Sequence, residues 1–165
     1  MTEKKHILSI LVDNEPGVLS RIAGLFSGRG YNIESLCVAE TNDTKISRLT
    51  MVTAGDAIIL EQIKKQLNKL INVIKVADLT GQDYVERELV LIKVNAKLEH
   101  RAEILRINDI FRGRVVDVGP EHYIISVTGD SDKVTAIINL LKPYGIKEIA
   151  RTGSIALYRE NQQKV

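Results

Sequence analysis

The sequence predicts an α+β protein built from two tandem ferredoxin-like βαββαβ domains. The order strand, helix, strand, strand, helix, strand occurs in residues 1–79 and again in residues 85–160. The predicted strands are short and rich in branched apolar residues, and the predicted helices carry apolar residues at intervals of three and four. Residues 80–84 form a polar linker between the two domains, and residues 161–165 form a tail.

The first domain is the more regular of the two. Val18, Ile22, Leu25 and Phe26 recur at helical spacing and predict one buried helix face. Asp56 precedes the second helix and is expected to cap it. Polar turn residues at 41–44 predict a hairpin between the middle strands. The expected strands are 7–12, 33–40, 46–53 and 73–78, and the expected helices are 17–29 and 57–70.

The second domain repeats this order with little repetition of sequence. Ser131 is expected to cap its second helix, and the run Lys142-Pro143-Tyr144-Gly145 is expected to end it. The first helix is expected at 101–112, and the strands at 85–94, 114–118, 122–129 and 146–151.

Composition indicates an ordinary soluble protein. Of the 165 residues, 44% are apolar, which is enough for a real core, and 23 basic against 21 acidic residues give a net charge of +2. No apolar run approaches the roughly 20 residues that cross a bilayer, and the first residues lack the apolar core of a signal peptide. We therefore expect a protein of the cytoplasm, or of an organelle's interior after processing, with no membrane partner. Cys37 is the single cysteine, so no internal disulfide can form.

Two broad classes of function are disfavoured. The charges are evenly spread and the strands 7–12 and 46–53 contain no aromatic residue, so the sheet lacks the stacking platform of an RNA-binding domain, and no nucleic-acid partner is expected. His6, His100 and His122 are far apart in sequence, and no nucleophile, carboxylate pair or metal-ligand spacing accompanies them. We expect no catalytic or metal site.

The loop between the first strand and the first helix carries the strongest functional signal. Asp13 and Asn14 favour turns and caps, Pro16 needs no backbone donor, and Gly17 lets the helix begin with its backbone exposed. Unpaired N–H groups and partial positive charge at such a helix end suit a carboxylate or a phosphate. An ordinary capped turn is the alternative. Asn32 follows the far end of the same helical unit.

The second domain does not repeat this signal. Its corresponding loop, residues 95–100, contains no glycine. Gly28 and Gly30 come after their helix, where a nucleotide-binding loop would precede one, so they indicate a helix stop. Only the first domain is predicted to hold a small anion.

Several blocks of sequence carry a more specific resemblance. They lie at 14–21, 24–27, 29–36, 61–70, 85–89, 110–113 and 149–153. The first domain resembles an ACT domain, and the whole chain resembles the small regulatory subunits of acetohydroxyacid synthase, also called acetolactate synthase. The block at 29–36 and the Phe111-Arg112-Gly113 block are the most specific. Pro16, Cys37 and the stretch 95–103 depart from the family pattern.

The resemblance implies a regulatory function in the biosynthesis of valine, leucine and isoleucine. A small subunit of this family has no catalysis of its own. It activates a large catalytic subunit, on which thiamine diphosphate, Mg²⁺ and FAD are expected, and it makes that subunit sensitive to feedback by valine or another branched-chain amino acid. No cofactor is expected on this chain. The alternative is a stand-alone ACT-type sensor of amino acids that controls another enzyme or a transcription factor.

The resemblance also implies where the effector binds. In the family, two ACT domains form a homodimer edge to edge, and the effector lies between them. The residues that match the effector site are those of the first loop together with two at the start of the next strand of the partner subunit: Asn14, Glu15, Pro16, Gly17, Val18, Leu19, Asn32 and Ile33.

Overall fold

A computed structural model of the chain describes residues 5–159. Contacts divide these residues into two compact units. Unit 1 contains residues 5–85 and 155–159, and unit 2 contains residues 86–154. Among the described residues, no helix is long and apolar enough to cross a membrane.

Unit 1 confirms the predicted βαββαβ order. Its first four strands form an antiparallel sheet in the order β2-β3-β1-β4, so β2 and β4 lie at the edges. The elements are β1 Lys5–Asp13, α1 Val18–Ser27, β2 Ile33–Glu40, β3 Ile46–Ala54, α2 Ala57–Leu67 and β4 Val73–Asp78.

The main core of unit 1 lies between the sheet and its two helices. Val18, Ile22 and Phe26 are the buried residues of α1, as their spacing predicted, whereas Leu25 of the same predicted face is partly buried. The carboxylate of Asp56 accepts the N–H of Ile59 at 2.8 Å, which confirms the predicted cap of α2. The buried residues of both helices pack against the central strands, at Leu8, Ile10, Val12, Leu49 and Met51.

Unit 2 has the same arrangement, with strand order β6-β7-β5-β8. Short 3₁₀ turns at Leu98–His100 and Lys142–Tyr144 precede its first helix and follow its second. The elements are β5 Tyr84–Asn95, α3 Arg101–Ile110, β6 Arg114–Val118, β7 His122–Gly129, α4 Ser131–Leu141 and β8 Ile146–Arg151. The predicted fold class is therefore confirmed for both copies.

The prediction that Ser131 caps α4 is wrong. Ser131 is the first helical residue, and the cap is Asp130, whose carboxylate accepts the N–H of Lys133 at 2.8 Å. Serine and aspartate both favour the cap position. Asp130 lies three positions before Lys133, the spacing at which a cap side chain accepts a free N–H of the first turn. The helix therefore begins at Ser131 itself, one residue earlier than a cap at Ser131 would place its start.

A ninth strand, β9 at Ile155–Tyr158, was not predicted. Residues 155–160 were predicted to belong to the second domain, whereas the described part of this segment groups with unit 1. The reason is a second, smaller core, in which Ala156 is buried together with Ile7, Val52 and Leu79, and Tyr84 and Tyr158 pack against them. Residue 160 and the tail 161–165 lie outside the described residues.

Candidate effector site

The loop between β1 and α1 enters the helix through a left-handed residue. Gly17 stands at the N-cap with φ of 87°, a conformation that L side chains rarely adopt. A Cβ built on Gly17 would meet nothing within 4 Å, so the constraint comes from the backbone and not from a neighbour. Asn14, Glu15, Pro16 and Gly17 are all exposed. The loop is therefore open on the side that a small molecule would approach.

The first turn of α1 retains unused donors. Within the described range 5–159, no side chain caps the helix, and the N–H of Val18 reaches the Glu15 carbonyl at 3.4 Å. Among residues 5–159, no acceptor faces the N–H groups of Leu19 and Ser20. The first turn also contains no acidic residue. These donors and the helix dipole favour an anion such as a carboxylate.

Asn14 ties the loop to the hairpin between β2 and β3. Its Nδ2 donates to Glu40 Oε1 at 3.0 Å and to the Thr44 carbonyl at 2.9 Å, while its backbone N–H donates to the Lys45 carbonyl at 2.8 Å. Both side-chain donors are thus used within the chain. The Oδ1 of Asn14 is left as the atom that could accept from a ligand.

A second set of contacts ties the loop to the segment between α2 and β4. Asn72, which is 8% exposed, accepts the Asp13 N–H through its carbonyl at 2.9 Å. Its amide donates to Asp13 and Glu15 and accepts from Arg21. The loop is therefore held on both flanks by residues distant in sequence.

Asn32 and Ile33 lie far from this loop within one chain. Strands β1 and β2 both run antiparallel to β3, with Asp13 opposite Ile46 and Ile33 opposite Thr53. Seven residues of β3 separate these two pairs, which corresponds to about 23 Å at the usual rise of a strand. Asn32 is exposed, and its carbonyl accepts from the Thr53 hydroxyl at 2.8 Å. A single chain does not bring the eight predicted site residues together.

The equivalent loop of unit 2 is closed by Arg101. Its Nε donates to the Ala96 carbonyl at 3.0 Å, its Nη2 donates to the Pro120 carbonyl, and its guanidinium lies 5.7 Å from the centre of the Tyr123 ring. The Leu98–His100 turn also replaces the open entry that Gly17 gives to α1. The two units therefore differ at the corresponding loops.

The three histidines have separate local partners. His6 is 6% exposed and its Nε2 lies 3.1 Å from the Gly55 carbonyl. His100 lies beside Glu99, and His122 Nε2 lies 2.9 Å from Asp117. Among residues 5–159, no group of three or more His, Cys, Asp or Glu side chains could hold a metal ion.

The chain matches two families of known proteins. Residues 8–75 match the family described as "AHAS small subunit-like ACT domain", and residues 87–160 match the family described as "Small subunit of acetolactate synthase". The acetolactate synthase small subunit of Aquifex aeolicus is 57% identical over 158 residues, which cover 95% of this chain and 82% of that protein. The chain belongs to the family of acetolactate synthase small subunits.

Other members of the family agree with this assignment over nearly full length. The probable acetolactate synthase small subunit of Archaeoglobus fulgidus is 54% identical, covering 96% of this chain and 99% of that protein. The crystal structure of the Thermotoga maritima acetolactate synthase small subunit superposes with a TM-score of 0.86 at 44% identity, covering 96% of this chain and 99% of the other. Unit 1 is thus an ACT domain, as the sequence predicted.

Four residues that shape the candidate site were missed by the sequence analysis. Glu40 and Thr44 hold Asn14, and Arg21 and Asn72 hold the other flank of the loop. The contacts bridge 26 to 57 positions of sequence, so no local pattern indicates them. Two features of the sequence could have indicated this flank: an arginine, Arg21, on the exposed side of α1, and an asparagine between α2 and β4.

Proposed function

We propose that this chain is the regulatory subunit of an acetolactate synthase. It binds the catalytic large subunit, activates it and confers allosteric feedback inhibition by valine or a related branched-chain amino acid. The observation that carries the proposal is the open N-terminus of α1, held beside the end of the edge strand β2. The family assignment supports the large subunit as the partner, and thiamine diphosphate, Mg²⁺ and FAD belong on that partner in this proposal.

The effector site is completed by a second copy of the chain. Strand β2 is an edge strand, and symmetric antiparallel pairing with β2 of the partner subunit places the start of one strand opposite the end of the other. The end of β2 is Glu40, which is bonded to Asn14. Pairing therefore carries the partner subunit's Asn32 and the partner subunit's Ile33 toward the Gly17 loop, and removes an open edge from each sheet.

The chemistry of the loop fits an amino acid. Its carboxylate would accept from the N–H groups of Leu19 and Ser20, and the Oδ1 of Asn14 offers an acceptor for the ammonium group. Leu19, 44% exposed, provides apolar surface beside the first turn for a branched side chain. A ligand with eight heavy atoms is limited in the free energy it can gain, so we expect a dissociation constant in roughly the micromolar to millimolar range.

Reconstitution with the catalytic subunit tests the proposal. The purified chain is mixed with the large subunit, and acetolactate formation is measured with and without valine, leucine and isoleucine. We expect higher activity in the presence of the chain and inhibition by at least one of the three amino acids. If the large subunit neither co-purifies with the chain nor changes activity, the chain is not its regulatory subunit. A melting temperature that still rises with an amino acid would then indicate a stand-alone sensor.

A further inference from the structure

Asn72 lies in the segment between α2 and β4. Every polar atom of its side chain contacts either the loop between β1 and α1 or helix α1, which follows that loop. Its Oδ1 accepts from Arg21 Nη1 at 2.7 Å. Its Nδ2 donates to Asp13 Oδ2 at 3.4 Å and to Glu15 Oε2 at 3.3 Å. Its backbone carbonyl accepts from the Asp13 N–H at 2.9 Å. One residue therefore contacts the start of the loop, its middle and the helix that follows it.

The chemistry of these partners fixes the orientation of the amide. Arg21 can only donate, and the carboxylates of Asp13 and Glu15 accept, so a reversed amide would face like groups on both sides. Within residues 5–159, Arg21 forms no ion pair within 4.0 Å of either carboxylate. Asn72 thus stands as the polar link between one cation and two anions, and at 8% exposure it is largely shielded from competing water.

Local backbone bonds, from the Glu15 N–H to the Asp13 carbonyl at 3.0 Å and from the Val18 N–H to the Glu15 carbonyl at 3.4 Å, shape the loop but do not attach it to the rest of the unit. No side chain caps α1, and the glycine at its N-cap gives the backbone more freedom than any other residue would. On the other flank the loop is held by Asn14, whose side-chain contacts are exposed. The side-chain contacts of Asn72 are partly buried, so water competes with them less than with the exposed contacts of the Asn14 side chain.

We infer that Asn72 is a positioning residue of the effector site. It does not touch the amino acid; it keeps the Gly17 loop in the conformation in which the N–H groups of Leu19 and Ser20 are presented. This inference rests on the proposed function of the loop. When only a fraction of molecules holds the competent conformation, the apparent dissociation constant rises by the inverse of that fraction.

The experiment uses the full-length chain and the substitution Asn72→Ala. Hydrogen exchange of the backbone amides 13–20 is measured without ligand, and valine, leucine and isoleucine binding is measured by calorimetry. We expect faster exchange in the loop and binding weakened about tenfold or more, with exchange of the β3 amides unchanged. The control is Asn68→Ala, which removes an exposed asparagine at the C-cap of α2 whose side chain forms no hydrogen bond with any of residues 5–159.

The substitution Asn72→Asp separates the two halves of the link. It keeps the acceptor for Arg21 but replaces the donor to Asp13 and Glu15 with a carboxylate oxygen that faces both carboxylates, so loop exchange should be at least as fast, and binding at least as weak, as in Asn72→Ala. A purely structural role predicts a lower melting temperature for Asn72→Ala without a change in affinity, and that result would overturn the inference, as would unchanged loop exchange. If the unmodified chain binds none of the three amino acids, the proposed function fails, and the exchange measurement alone decides whether Asn72 positions the loop.

Discussion

Asn14 and Glu40 are bonded to each other at the end of the sheet, with Asn14 Nδ2 donating to Glu40 Oε1 at 3.0 Å. Glu40 is the last residue of the edge strand β2, and Asn14 begins the loop that leads to α1. The loop that offers donors to an anion is therefore attached to the strand through which two copies would pair. In the proposed dimer, a change in the pairing of β2 would reach the loop through this bond.

The substitution Asn14→Ala should weaken feedback by valine about tenfold while lowering the free energy of unfolding by no more than about 1 kcal/mol. It removes two exposed hydrogen bonds and one candidate acceptor for the ligand, and exposed bonds contribute little to stability. Titration of valine against the reconstituted enzyme measures the first effect, and urea denaturation measures the second. Asn42→Ala, in the nearby hairpin turn, is the control and should change neither. Equal valine sensitivity of Asn14→Ala and the unmodified chain would remove Asn14 from the site.

The substitution Val38→Lys should shift the chain from dimer to monomer and abolish its response to valine. Val38 lies on the edge strand β2 with 39% of its surface exposed, and lysine on an edge strand opposes pairing with another chain. Sedimentation velocity at micromolar concentration measures the oligomeric state. The matched control is Val116→Lys on β6, the edge strand of unit 2, where Val116 is 56% exposed. A dimer that survives Val38→Lys unchanged would place the contact between copies elsewhere.

The fold could be predicted from the sequence because each of its main elements carries a local signal. The apolar spacing of α1 and the carboxylate of Asp56 before α2 are independent of distant residues, and both predictions are confirmed. Strand β9 has no such signal. All four of its residues are apolar or aromatic and so show no alternation, and the burial of Ala156 with Ile7 and Leu79 is a tertiary effect.

In the candidate site, too, the residues with a local sequence signal were predicted and those without one were not. The turn chemistry of Pro16 and Gly17 indicated an open helix entry, and Gly17 takes the left-handed conformation that a glycine permits. Asn72 could not be found in this way, because its partners Arg21, Asp13 and Glu15 lie 51 to 59 positions away in sequence. Their convergence depends on the register between β1 and β4, which sequence periodicity alone does not specify.

The substitution Tyr158→Phe should destabilise the protein at neutral pH and make its stability less sensitive to alkaline pH. The Tyr158 hydroxyl donates to the Asp78 carbonyl at 2.9 Å, and the loss of that bond should cost about 0.5 to 1.5 kcal/mol. Burial raises the pKa of Tyr158 above its ordinary value of 10.0, and the nearby Asp78 carboxylate raises it further. The folded state therefore favours the neutral phenol.

A pKa that is higher in the folded state stabilises the protein below the unfolded pKa, and the stabilisation is lost as the pH rises through the folded pKa. For Tyr158 the loss begins near pH 10, the ordinary pKa of tyrosine. Urea denaturation between pH 7 and pH 11 measures the effect. The free energy of unfolding should fall more steeply above about pH 10 for the unmodified chain than for Tyr158→Phe, and parallel curves would contradict the prediction.

The substitution Arg151→Met should destabilise unit 2 by about 2 to 3 kcal/mol. Arg151 holds Glu88 through two hydrogen bonds, Nε to Oε1 at 2.5 Å and Nη2 to Oε2 at 2.9 Å, and the Glu88 side chain is only 3% exposed. Removing the arginine leaves a buried carboxylate without its partner, although the 47% exposure of Arg151 keeps the cost below that of a fully buried pair.

Adding Glu88→Gln to Arg151→Met should recover part of this loss, because a neutral amide is less costly to bury than a carboxylate. Urea denaturation of the two single variants and the double variant forms the cycle. If the double variant is no more stable than Arg151→Met alone, the loss of stability does not come from the unpaired charge of Glu88.

The substitution Gly17→Asp should abolish feedback by valine. A side-chain carboxylate at the N-cap would compete with the ligand for the open donors of Leu19 and Ser20 and would repel the ligand's own carboxylate. Loss of two charge-assisted hydrogen bonds, at about 1.5 to 3 kcal/mol each, would weaken binding at least about a hundredfold. A side chain at a φ of 87° also adds about 1 to 2 kcal/mol of backbone strain, although no neighbour obstructs it.

The substitution Gly17→Asn separates the effect of charge from that of strain. Asparagine has nearly the shape of aspartate, is neutral, and tolerates the left-handed region better than most residues. It should therefore retain more valine binding than Gly17→Asp while imposing similar bulk. Calorimetry on both variants, with urea denaturation as the test of folding, measures the difference. Both variants add nearly the same bulk to the loop. If Gly17→Asp folds and binds valine as tightly as the unmodified chain, the carboxylate of the amino acid does not lie at the N-terminus of α1.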